Sequence, residues 1–389
     1  MVKTPTFEDQ RLRAYFSHVA TSLGALKDVR LLSVAHMVHN SSIFLPALSD
    51  IAPVALLLPK PKTADSDIGR EIRSQFPGLP IPFDREWAKD ANKVAEAVSQ
   101  YTAPKDRVIL VDIGGYFAES LDEIVALTND RVIGVMEGTE NGVQRYESEC
   151  ERRGLGQYSV PIVTVARSPL KLPEDYHVGS GVVFSVEAVL REQAQILQTR
   201  SACVIGYGRV GSSVAEVLRG RGIPTVVHDT SPIAMAEAAA RGFRVYRRLD
   251  DALGASTLVI SATGGHAIDR RALASMRSGT VIATVTSIDD EFVESDLNMY
   301  KPSYVSPSIK RYDSSGQRYF WLINDGNPAN FLHGAVIGPA MQLIEGEKMA
   351  AIRAIATGEY VGLGRGISEV KKEHRLKVAE IWNEHFLDD

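Results

Sequence analysis

A glycine-rich turn is the feature of this chain that most restricts its fold. A short apolar segment runs directly into Gly206-x-Gly208-x-x-Gly211, and a segment of helical period follows. A second apolar segment, 225–227, then leads to Asp229. In such a unit the first glycine makes a tight turn, the second admits a pyrophosphate close to the backbone, and the third lets the helix pack on the strand. The helix N-terminus adds N–H donors and a positive dipole end, so these residues predict a Rossmann-type dinucleotide site.

Asp229 predicts which dinucleotide binds. A carboxylate at the end of the second strand can accept hydrogen bonds from both ribose hydroxyls of NAD, and it repels the additional phosphate of NADP. The residue beside it is His228 and not an arginine. We therefore expect NAD as the cofactor. The alternative interpretation is a glycine turn in an α/β unit that binds no ligand.

Composition is that of a globular enzyme with more than one domain. The chain has 389 residues, of which 44% are hydrophobic and 23% charged. Its net charge of −5 is spread over both signs, which favours neither a nucleic acid nor a membrane surface as partner. The most apolar run, 43–58, contains Asp50 and two prolines and is too short to span a bilayer.

Cysteine usage and the first residues give the expected compartment. Cys150 and Cys203 fall in different predicted units, so we expect no disulfide. The first residues do not have the pattern of a signal peptide. These features predict a cytoplasmic protein, and no metal-ligand pattern is predicted.

Short apolar segments alternate with helical ones along most of the chain, which indicates α/β architecture with a mostly parallel sheet covered on both faces. We expect a Rossmann-type NAD domain inserted in a split α/β substrate domain. A long helix, 184–198, should lead into the glycine unit, and another should cover 334–357. The expected strands are 31–35, 53–58, 107–112, 132–136 and 160–165, then 225–229, 243–246, 257–262, 280–285 and 319–323. The expected domains are 1–183 (substrate domain, first part), 184–324 (NAD-binding domain), 325–365 (return to the substrate domain) and 366–389 (helical tail).

Around the glycine unit the sequence resembles the adenosylhomocysteinase (S-adenosylhomocysteine hydrolase) superfamily. The similarity is strongest over 201–291 and extends with a shared order of motifs over about 30–350. The matching motifs in the stronger part are Gly-Tyr-Gly-x-Val-Gly, Asp229-Thr-Ser-Pro232-Ile233, Thr263-Gly264 and Asp289-x-Glu291. The others are Ala35-His36-Met37, Asp112-x-Gly114-Gly115, Glu137-Gly-Thr139, Ser168-x-x-Lys171-x-x-x-Asp175 and Leu322-Ile323-Asn324.

The resemblance implies a reaction that begins with oxidation of a ribose 3′-hydroxyl by tightly held NAD. In that family the resulting ketone acidifies the C4′ proton, the 5′ thiolate is eliminated, water adds, and the ketone is reduced again. By this resemblance Lys171 takes the alcohol proton, Asp175 orients Lys171, and His36 works near C5′. From sequence alone, a surface Lys–Asp pair and a structural histidine are the alternatives.

The glycine unit and the resemblance together predict the ligand contacts. The predicted substrate residues match family positions but differ in type: Asn40, Asn327, Ser180 and Ser287. The predicted cofactor-binding residues are Gly206, Gly208, Arg209, Val210, Gly211, Asp229, Thr263, Gly264, Thr139 and Asn324.

Several departures from the family concern groups that move protons. Ile113 and Gly138 stand where the family has a second aspartate and a second glutamate, and Val38 replaces a threonine. The ending, 386–389, lacks the family's C-terminal Lys/Tyr signature. Losing one acid–base group typically costs about 10²–10⁴ in rate, so several losses in one site favour a different reaction or substrate.

Three functions therefore remain open. The first is an NAD-dependent enzyme that transiently oxidises a secondary hydroxyl of a nucleoside or nucleotide-like substrate, for example an epimerase. The second is a divergent adenosylhomocysteinase, and the third is a non-catalytic NAD-binding regulator. We expect a homo-oligomer in which 366–384 forms an amphipathic helix. Its apolar positions would be Ile367, Val370, Leu376, Val378, Ile381 and Trp382.

Overall fold

The protein is described by a computed structural model that covers residues 7–64, 66–154, 156–314, 318–360 and 366–387. Four short 3-10 turns, 169–171, 197–199, 324–326 and 329–333, accompany the regular elements. The strands are β1 (Val29–Ala35), β2 (Val54–Pro59), β3 (Arg107–Asp112), β4 (Val132–Glu137), β5 (Ile162–Thr164), β6 (Ala202–Ile205), β7 (Thr225–His228), β8 (Arg244–Val245), β9 (Leu258–Ser261), β10 (Thr280–Thr284), β11 (Lys301–Ser306), β12 (Ile309–Asp313), β13 (Tyr319–Ile323) and β14 (Ile367–Glu369). The helices are α1 (Phe7–Leu23), α2 (Ser41–Ile51), α3 (Pro61–Ala64), α4 (Asp67–Arg73), α5 (Arg85–Lys89), α6 (Ala91–Tyr101), α7 (Leu121–Leu127), α8 (Glu140–Arg152), α9 (Leu172–Glu192), α10 (Arg209–Gly220), α11 (Pro232–Ala240), α12 (Leu249–Gly254), α13 (Arg270–Ser275), α14 (Ile288–Glu291), α15 (Glu294–Leu297), α16 (Ala340–Ala356) and α17 (Lys372–Phe386).

The chain forms two compact units. Unit 1 combines Met1–Lys171 with Pro339–Asp389, and unit 2 is Leu172–Gly338. The predicted boundaries were 183/184 and 324/325, whereas the units divide at 171/172 and 338/339. The first difference arises because α9 lies along α10, where the Ser213 hydroxyl donates to the Tyr176 carbonyl at 2.7 Å. The second arises because the segment after β13 stays with unit 2, where Thr284 Oγ1 donates to the Gly326 carbonyl at 2.9 Å.

Unit 1 is built on a six-stranded parallel sheet in the order β14-β5-β4-β3-β1-β2. Successive side chains of a strand point to opposite faces, and both faces are buried here. Leu31 belongs to the apolar cluster on one face and Leu32 to that on the other. The strand order reverses between β1 and β3, and ligands of open α/β sheets bind outside the carboxyl ends of the strands at such a point.

Unit 2 contains an eight-stranded sheet in the order β11-β12-β13-β10-β9-β6-β7-β8. The six strands from β13 to β8 are parallel, while β12 pairs antiparallel with both β13 and β11. The parallel part has the 3-2-1-4-5-6 order of a doubly wound dinucleotide fold, whose order reverses between β6 and β9. The expected α/β fold class with parallel sheets is confirmed.

Some predicted elements were wrong in extent. The helix expected at 184–198 is α9, which begins at Leu172 because Pro173 is tolerated in a first helical turn. The helix expected at 334–357 begins only at Ala340, after a 3-10 turn. The hairpin of β11 and β12 was not predicted.

The C-terminal segment is not a single helix. Ile367–Glu369 form β14, which pairs with β5 at the edge of the unit 1 sheet. The helix α17 follows and buries Val378 and Ile381, but the side chain of Leu376 is 52% exposed. Residues 361–365 of the predicted return segment and residues 388–389 of the predicted tail lie outside the described residues. None of the described helices has the length and apolar character needed to cross a membrane.

Candidate functional site

The glycine turn joins β6 to α10 in unit 2. Gly206 has φ +88°, and a methyl group placed on it would lie 2.7 Å from the Ala262 carbonyl oxygen. A methyl group on Gly211 would lie 2.0 Å from the Gly206 carbonyl oxygen, so the helix packs against the turn only without a side chain. No atom lies within 4 Å of the methyl position of Gly208. That open approach to the backbone at the start of a helix is what a pyrophosphate requires.

Asp229 follows β7 and is half-buried beside this turn. Its Oδ2 accepts a hydrogen bond from the Tyr207 amide at 2.6 Å, and its Oδ1 accepts one from the Ser231 amide at 2.7 Å. A carboxylate has about four acceptor positions, so both oxygens retain capacity for ribose hydroxyls. The residues of this turn therefore fit NAD.

The loop after β9 carries Thr263 and Gly264 and is held by Glu291. The backbone amides of Thr263 and Gly264 donate to Glu291 Oε1 at 2.9 and 3.0 Å. The carboxylate is fully buried and also accepts hydrogen bonds from side-chain hydroxyls. These come from Ser261 at 2.5 Å, Thr263 at 2.9 Å and Thr286 at 2.5 Å. Glu291 thus fixes the loop after β9. The glycine turn follows β6, the neighbouring strand on the other side of the point where the strand order reverses.

A tight turn follows β13 and carries the predicted residues Asn324 and Asn327. Asn324 and Asp325 have φ near +50°, and Asn324 Nδ2 donates to the Pro328 carbonyl at 2.9 Å. Asn327 Oδ1 is buried and accepts no hydrogen bond from the described residues. An unfilled acceptor at the carboxyl end of a sheet strand suits an amide or hydroxyl donor of a ligand.

The other two predicted substrate residues of unit 2 lie in different surroundings. Ser287 precedes α14, and its hydroxyl donates to Asp290 Oδ2 at 2.8 Å. Ser180, on α9, lines a cavity of about 320 Å³ together with Asn330 and His333. Asn327 and Ser287 do not line that cavity, so it does not collect the predicted set.

Lys171 and Asp175 lie on consecutive elements at the division between the units. Lys171 ends unit 1 in the 3-10 turn 169–171, and Asp175 is in the first turn of α9. Asp175 is buried and lies 3.8 Å from Arg209 Nη1, at the first residue of α10. The proposed assistance of Asp175 to Lys171 stays a prediction.

In unit 1 four neighbouring strands end at one edge of the sheet. The first residues after β2, β1, β3 and β4 are Lys60, His36, Ile113 and Gly138. A methyl group placed on Gly138 would lie 3.0 Å from Ile113 Cγ2 and 3.3 Å from Lys348 Cε. At the two positions where the family has acids, this chain therefore has the apolar side chain of Ile113 and the small residue Gly138, which pack against each other.

The two acids that remain at this edge, Glu137 and Asp112, accept hydrogen bonds from backbone amides of nearby loops. Glu137 accepts hydrogen bonds from the amides of Gly114 at 3.1 Å and Gly115 at 3.0 Å, and from Thr139 through both amide and hydroxyl. Asp112 Oδ2 accepts from Tyr146 at 2.8 Å. Burial, and next the neighbouring Asp112 charge, raise the pKa of Glu137 to about 7. Burial likewise raises the pKa of Asp112.

His36 lies among cations. Burial, and next the charges of Lys60 and Lys348, hold the pKa of His36 well below its ordinary value. Its imidazole is therefore neutral near pH 7 and can accept a proton or a hydrogen bond.

Asn40 and Thr139 use their side chains within unit 1. Asn40 Nδ2 donates to Glu345 Oε2 at 2.6 Å, and Asn40 Oδ1 accepts from Gln342 Nε2 at 2.7 Å, both on α16. Thr139 caps α8 by accepting from the Gly142 amide at 3.1 Å. Substrate binding by Asn40 and cofactor binding by Thr139 stay predictions.

Sequence reasoning did not identify the loop-holding roles of Glu137 and Glu291 or the cations Lys60 and Lys348. A signal existed for Lys60, which directly follows an apolar strand as His36 does. Lys348 carried none, since a lysine on a helix is ordinarily solvated. No group of three or more metal-ligating side chains that could hold an ion occurs in the described ranges.

The chain is similar in sequence to known proteins. A family model described as S-adenosyl-L-homocysteine hydrolase, NAD binding domain, matches residues 182–335. An adenosylhomocysteinase of Aeropyrum pernix is 25% identical over 316 residues, covering 79% of this chain and 72% of that protein. One of Thermoplasma volcanium is 24% identical over 364 residues, covering 91% and 85%. Among solved structures, the pyruvate reductase of Chlamydomonas reinhardtii matches 85% of this chain and 96% of that chain, with 13% identity and a TM-score of 0.44.

The doubly wound unit 2, its glycine turn and Asp229 define an NAD-dependent enzyme. The predicted cofactor is confirmed as NAD. The family match over 182–335 and the two relatives support the predicted resemblance to the adenosylhomocysteinase superfamily, as a divergent member.

Proposed function

We propose that this protein uses NAD to oxidise transiently a secondary ribose hydroxyl, the 3′-hydroxyl, of a nucleoside or nucleotide-like substrate. Epimerisation of that carbon, or a related step through the transient ketone, would be the outcome. The observation that carries the proposal is the combination of a complete NAD turn in unit 2 with the packed Ile113–Gly138 pair in unit 1. The redox half of the family reaction is supported, while two acids associated with its later steps are missing.

The chain's own residues would hold the cofactor and move the protons. NAD, when bound, accepts a hydride from the alcohol carbon and can return it. Gly208 and the first amides of α10 would bind the pyrophosphate, and Asp229 the ribose. Lys171 would take the alcohol proton, with Asp175 as a positioning residue.

His36 supplies the other proton-accepting group. Its imidazole is neutral near pH 7 because burial and the neighbouring ammonium groups lower its pKa. A neutral imidazole at the carboxyl end of β1 could accept a proton from a substrate hydroxyl or from the carbon next to the transient ketone. Neither Ile113 nor Gly138 can exchange a proton through its side chain.

The test is NADH formation by NAD-loaded protein with a panel of nucleosides and nucleotides. Lys171→Met should keep NAD bound and abolish substrate-dependent NADH absorbance, because the alcohol proton has no acceptor. Lys93→Met is the control, since Lys93 is exposed on α6 and its ammonium group lies 3.2 Å from Asp90 Oδ2. Wild-type rates in Lys171→Met would remove Lys171 from the reaction. A complete absence of NADH with every compound would favour the non-catalytic regulator.

Hydrolysis of S-adenosylhomocysteine is the second candidate, favoured by the names of the relatives. We expect this activity to be weak or absent. A site that lacks two acids and has Asn40 bound to Gln342 and Glu345 would leave groups of that substrate unpaired. Release of homocysteine at a rate typical of the relatives, measured side by side, would establish the hydrolase instead.

Assembly and compartment are also proposals. We propose a homo-oligomer in the cytoplasm that takes a small-molecule substrate. Light scattering of the purified NAD-loaded chain measures the assembly, and a monomeric mass would refute it.

A further inference from the structure

The arginine-rich segment around β8 lies next to β7, the strand that Asp229 follows. The two strands pair in parallel, with Val227 beside Val245. The pairing continues past the end of β8, because the Tyr246 amide donates to the Val227 carbonyl at 3.0 Å. Counting two residues further along both strands places Arg247 beside Asp229. Neighbouring strands lie about 4.8 Å apart, so these two residues are neighbours at the carboxyl edge of the unit 2 sheet.

Arg247 differs from the arginines around it. The others each lie against a side chain of unit 2: Arg241 against Glu237 at 2.7 Å, Arg244 against the ring of Tyr246 at 4.8 Å and Arg248 against Asp250 at 3.6 Å. Arg247 is exposed, and its guanidinium makes no ion pair or hydrogen bond with the residues that the structure describes. A guanidinium presents its N–H donors in a planar fork that suits a phosphate group. Arg247 is therefore available to a ligand of that kind.

Asp229 supplies the negative charge at this place. It accepts hydrogen bonds from the amides of Tyr207 and Ser231, and a carboxylate keeps its charge when it accepts hydrogen bonds. No ion pair joins Asp229 to Arg247 in the described part of the chain. A ribose bound to Asp229 presents its 2′ position here. A phosphate on that position would meet both the Asp229 carboxylate and the Arg247 guanidinium.

We propose that Arg247 is a second specificity-determining residue of the cofactor site, which binds the 2′-phosphate of NADP and so opposes Asp229. The preference for NAD is then the difference between repulsion of that phosphate by Asp229 and its attraction by Arg247. In dinucleotide-binding folds an arginine near the ribose is the group that accommodates the 2′-phosphate. The inference goes beyond the proposed function, because it concerns the cofactor site and does not depend on which substrate is oxidised.

The experiment measures the affinities for NAD and NADP by calorimetry, after bound dinucleotide has been removed from the purified chain. Arg247→Met should weaken NADP binding about tenfold or more, because charge-assisted hydrogen bonds to the phosphate are lost. The affinity for NAD, which has no phosphate at that position, should change by less than about threefold, as for an ordinary surface substitution.

Arg277→Met is the matched control. Arg277 is also exposed, but it precedes β10 and so lies at the opposite, amino end of the parallel strands. The control removes the same charge from unit 2 and should leave both affinities unchanged.

The Asp229→Asn background isolates the attraction by Arg247. Asp229→Asn should raise the affinity for NADP, because the repulsion is removed while the guanidinium remains. Adding Arg247→Met to this variant should abolish that gain. The comparison also serves if NADP binding by the unaltered protein is too weak to titrate.

Three results would overturn the proposal. Equal weakening of NAD and NADP by Arg247→Met would mean that Arg247 contacts a part common to both dinucleotides. An unchanged NADP affinity on adding Arg247→Met to Asp229→Asn would mean that it does not bind the phosphate. An equal effect of Arg277→Met would reduce the result to net charge. All these affinities are measured without substrate, so a failure of the proposed function leaves this inference standing.

Discussion

Single carboxylates organise both units. Asp229 joins Tyr207 and Ser231 through their amides and retains acceptor capacity for the ribose of NAD. Glu137 and Glu291 each hold a glycine-containing loop by accepting from two consecutive amides, Gly114–Gly115 in unit 1 and Thr263–Gly264 in unit 2. In unit 1 the loop held by Glu137 follows β3, and in unit 2 the loop held by Glu291 follows β9. Each of these strands lies at the point where the strand order of its sheet reverses.

Replacement of Asp229 by alanine should weaken NAD binding by about 1–3 kcal/mol, because charge-assisted hydrogen bonds are lost. The preference for NAD over NADP should shrink at the same time, since the repulsion of the extra phosphate disappears. Calorimetric titration with both dinucleotides measures the two effects. Asp251→Ala is the control, because that side chain is 59% exposed on α12. Equal affinities of the unaltered protein for NAD and NADP would contradict the role of Asp229.

Glu137 makes the stability of unit 1 depend on pH. Its pKa is raised from 4.5 to about 7, so the folded state keeps a proton that the unfolded chain releases. The free energy of unfolding should therefore fall as the pH rises from about 4.5 to about 7. Asp112→Asn removes the neighbouring charge and should reduce this slope, although burial maintains part of it.

Hydrogen exchange of the β3 and β4 amides across that pH range measures the effect in unit 1 alone. Asp67→Asn is the control, because the Asp67 side chain is 97% exposed. An unchanged slope in Asp112→Asn would show that the two carboxyls do not interact.

At the scale of elements, the strand–turn–helix of β6 and α10 is limited by close packing. The missing side chain of Gly211 allows the helix to contact the Gly206 carbonyl, whereas Gly220 at the end of the same helix faces open space. Within one helix, the position of Gly211 therefore has no room for a side chain, whereas the position of Gly220 has room for one.

Gly211→Ala should destabilise unit 2 by about 1–3 kcal/mol and weaken NAD binding, because the turn must move to admit a methyl group. Gly220→Ala should instead stabilise by up to about 1 kcal/mol, since it removes backbone freedom from the unfolded chain. Urea denaturation and NAD titration of both variants provide the measurement. Similar stabilities of the two variants would mean that the turn can relax without cost.

At the scale of the whole chain, the last residues complete the unit that the first residues begin. The strand β14 extends the unit 1 sheet, α17 packs on α1 and α16, and the Trp382 indole donates to the Pro339 carbonyl at 2.9 Å. These contacts of the C-terminal segment are all internal to unit 1, so the segment is part of that unit's core.

Ile381→Ala should lower the stability of unit 1 by about 2–5 kcal/mol, because Ile381 is only 4% exposed and its removal leaves a cavity. Leu376→Ala, on the exposed side of the same helix, should change it by no more than about 0.5 kcal/mol. Hydrogen exchange of the β1 amides compares them. Equal effects would place α17 away from the core.

The sequence by itself determined the α/β class, the glycine turn and the cofactor. Those features depend on local patterns: an apolar segment, glycines at fixed spacing and an acid at the end of the next strand. His36 was predicted from the family resemblance, because the local strand pattern alone favours a structural histidine, and its role in the reaction stays a prediction.

Only the tertiary structure decided which distant residues meet. The order of strands placed Lys60, His36, Ile113 and Gly138 at one edge, and α16 brought Lys348 to it from the far end of the chain. The conversion of 367–369 into an edge strand likewise depended on a free edge at β5, which no local propensity describes. Sheet order and long-range packing depend on burial of both faces of each sheet. That burial involves residues from distant parts of the chain, so local sequence patterns do not determine it.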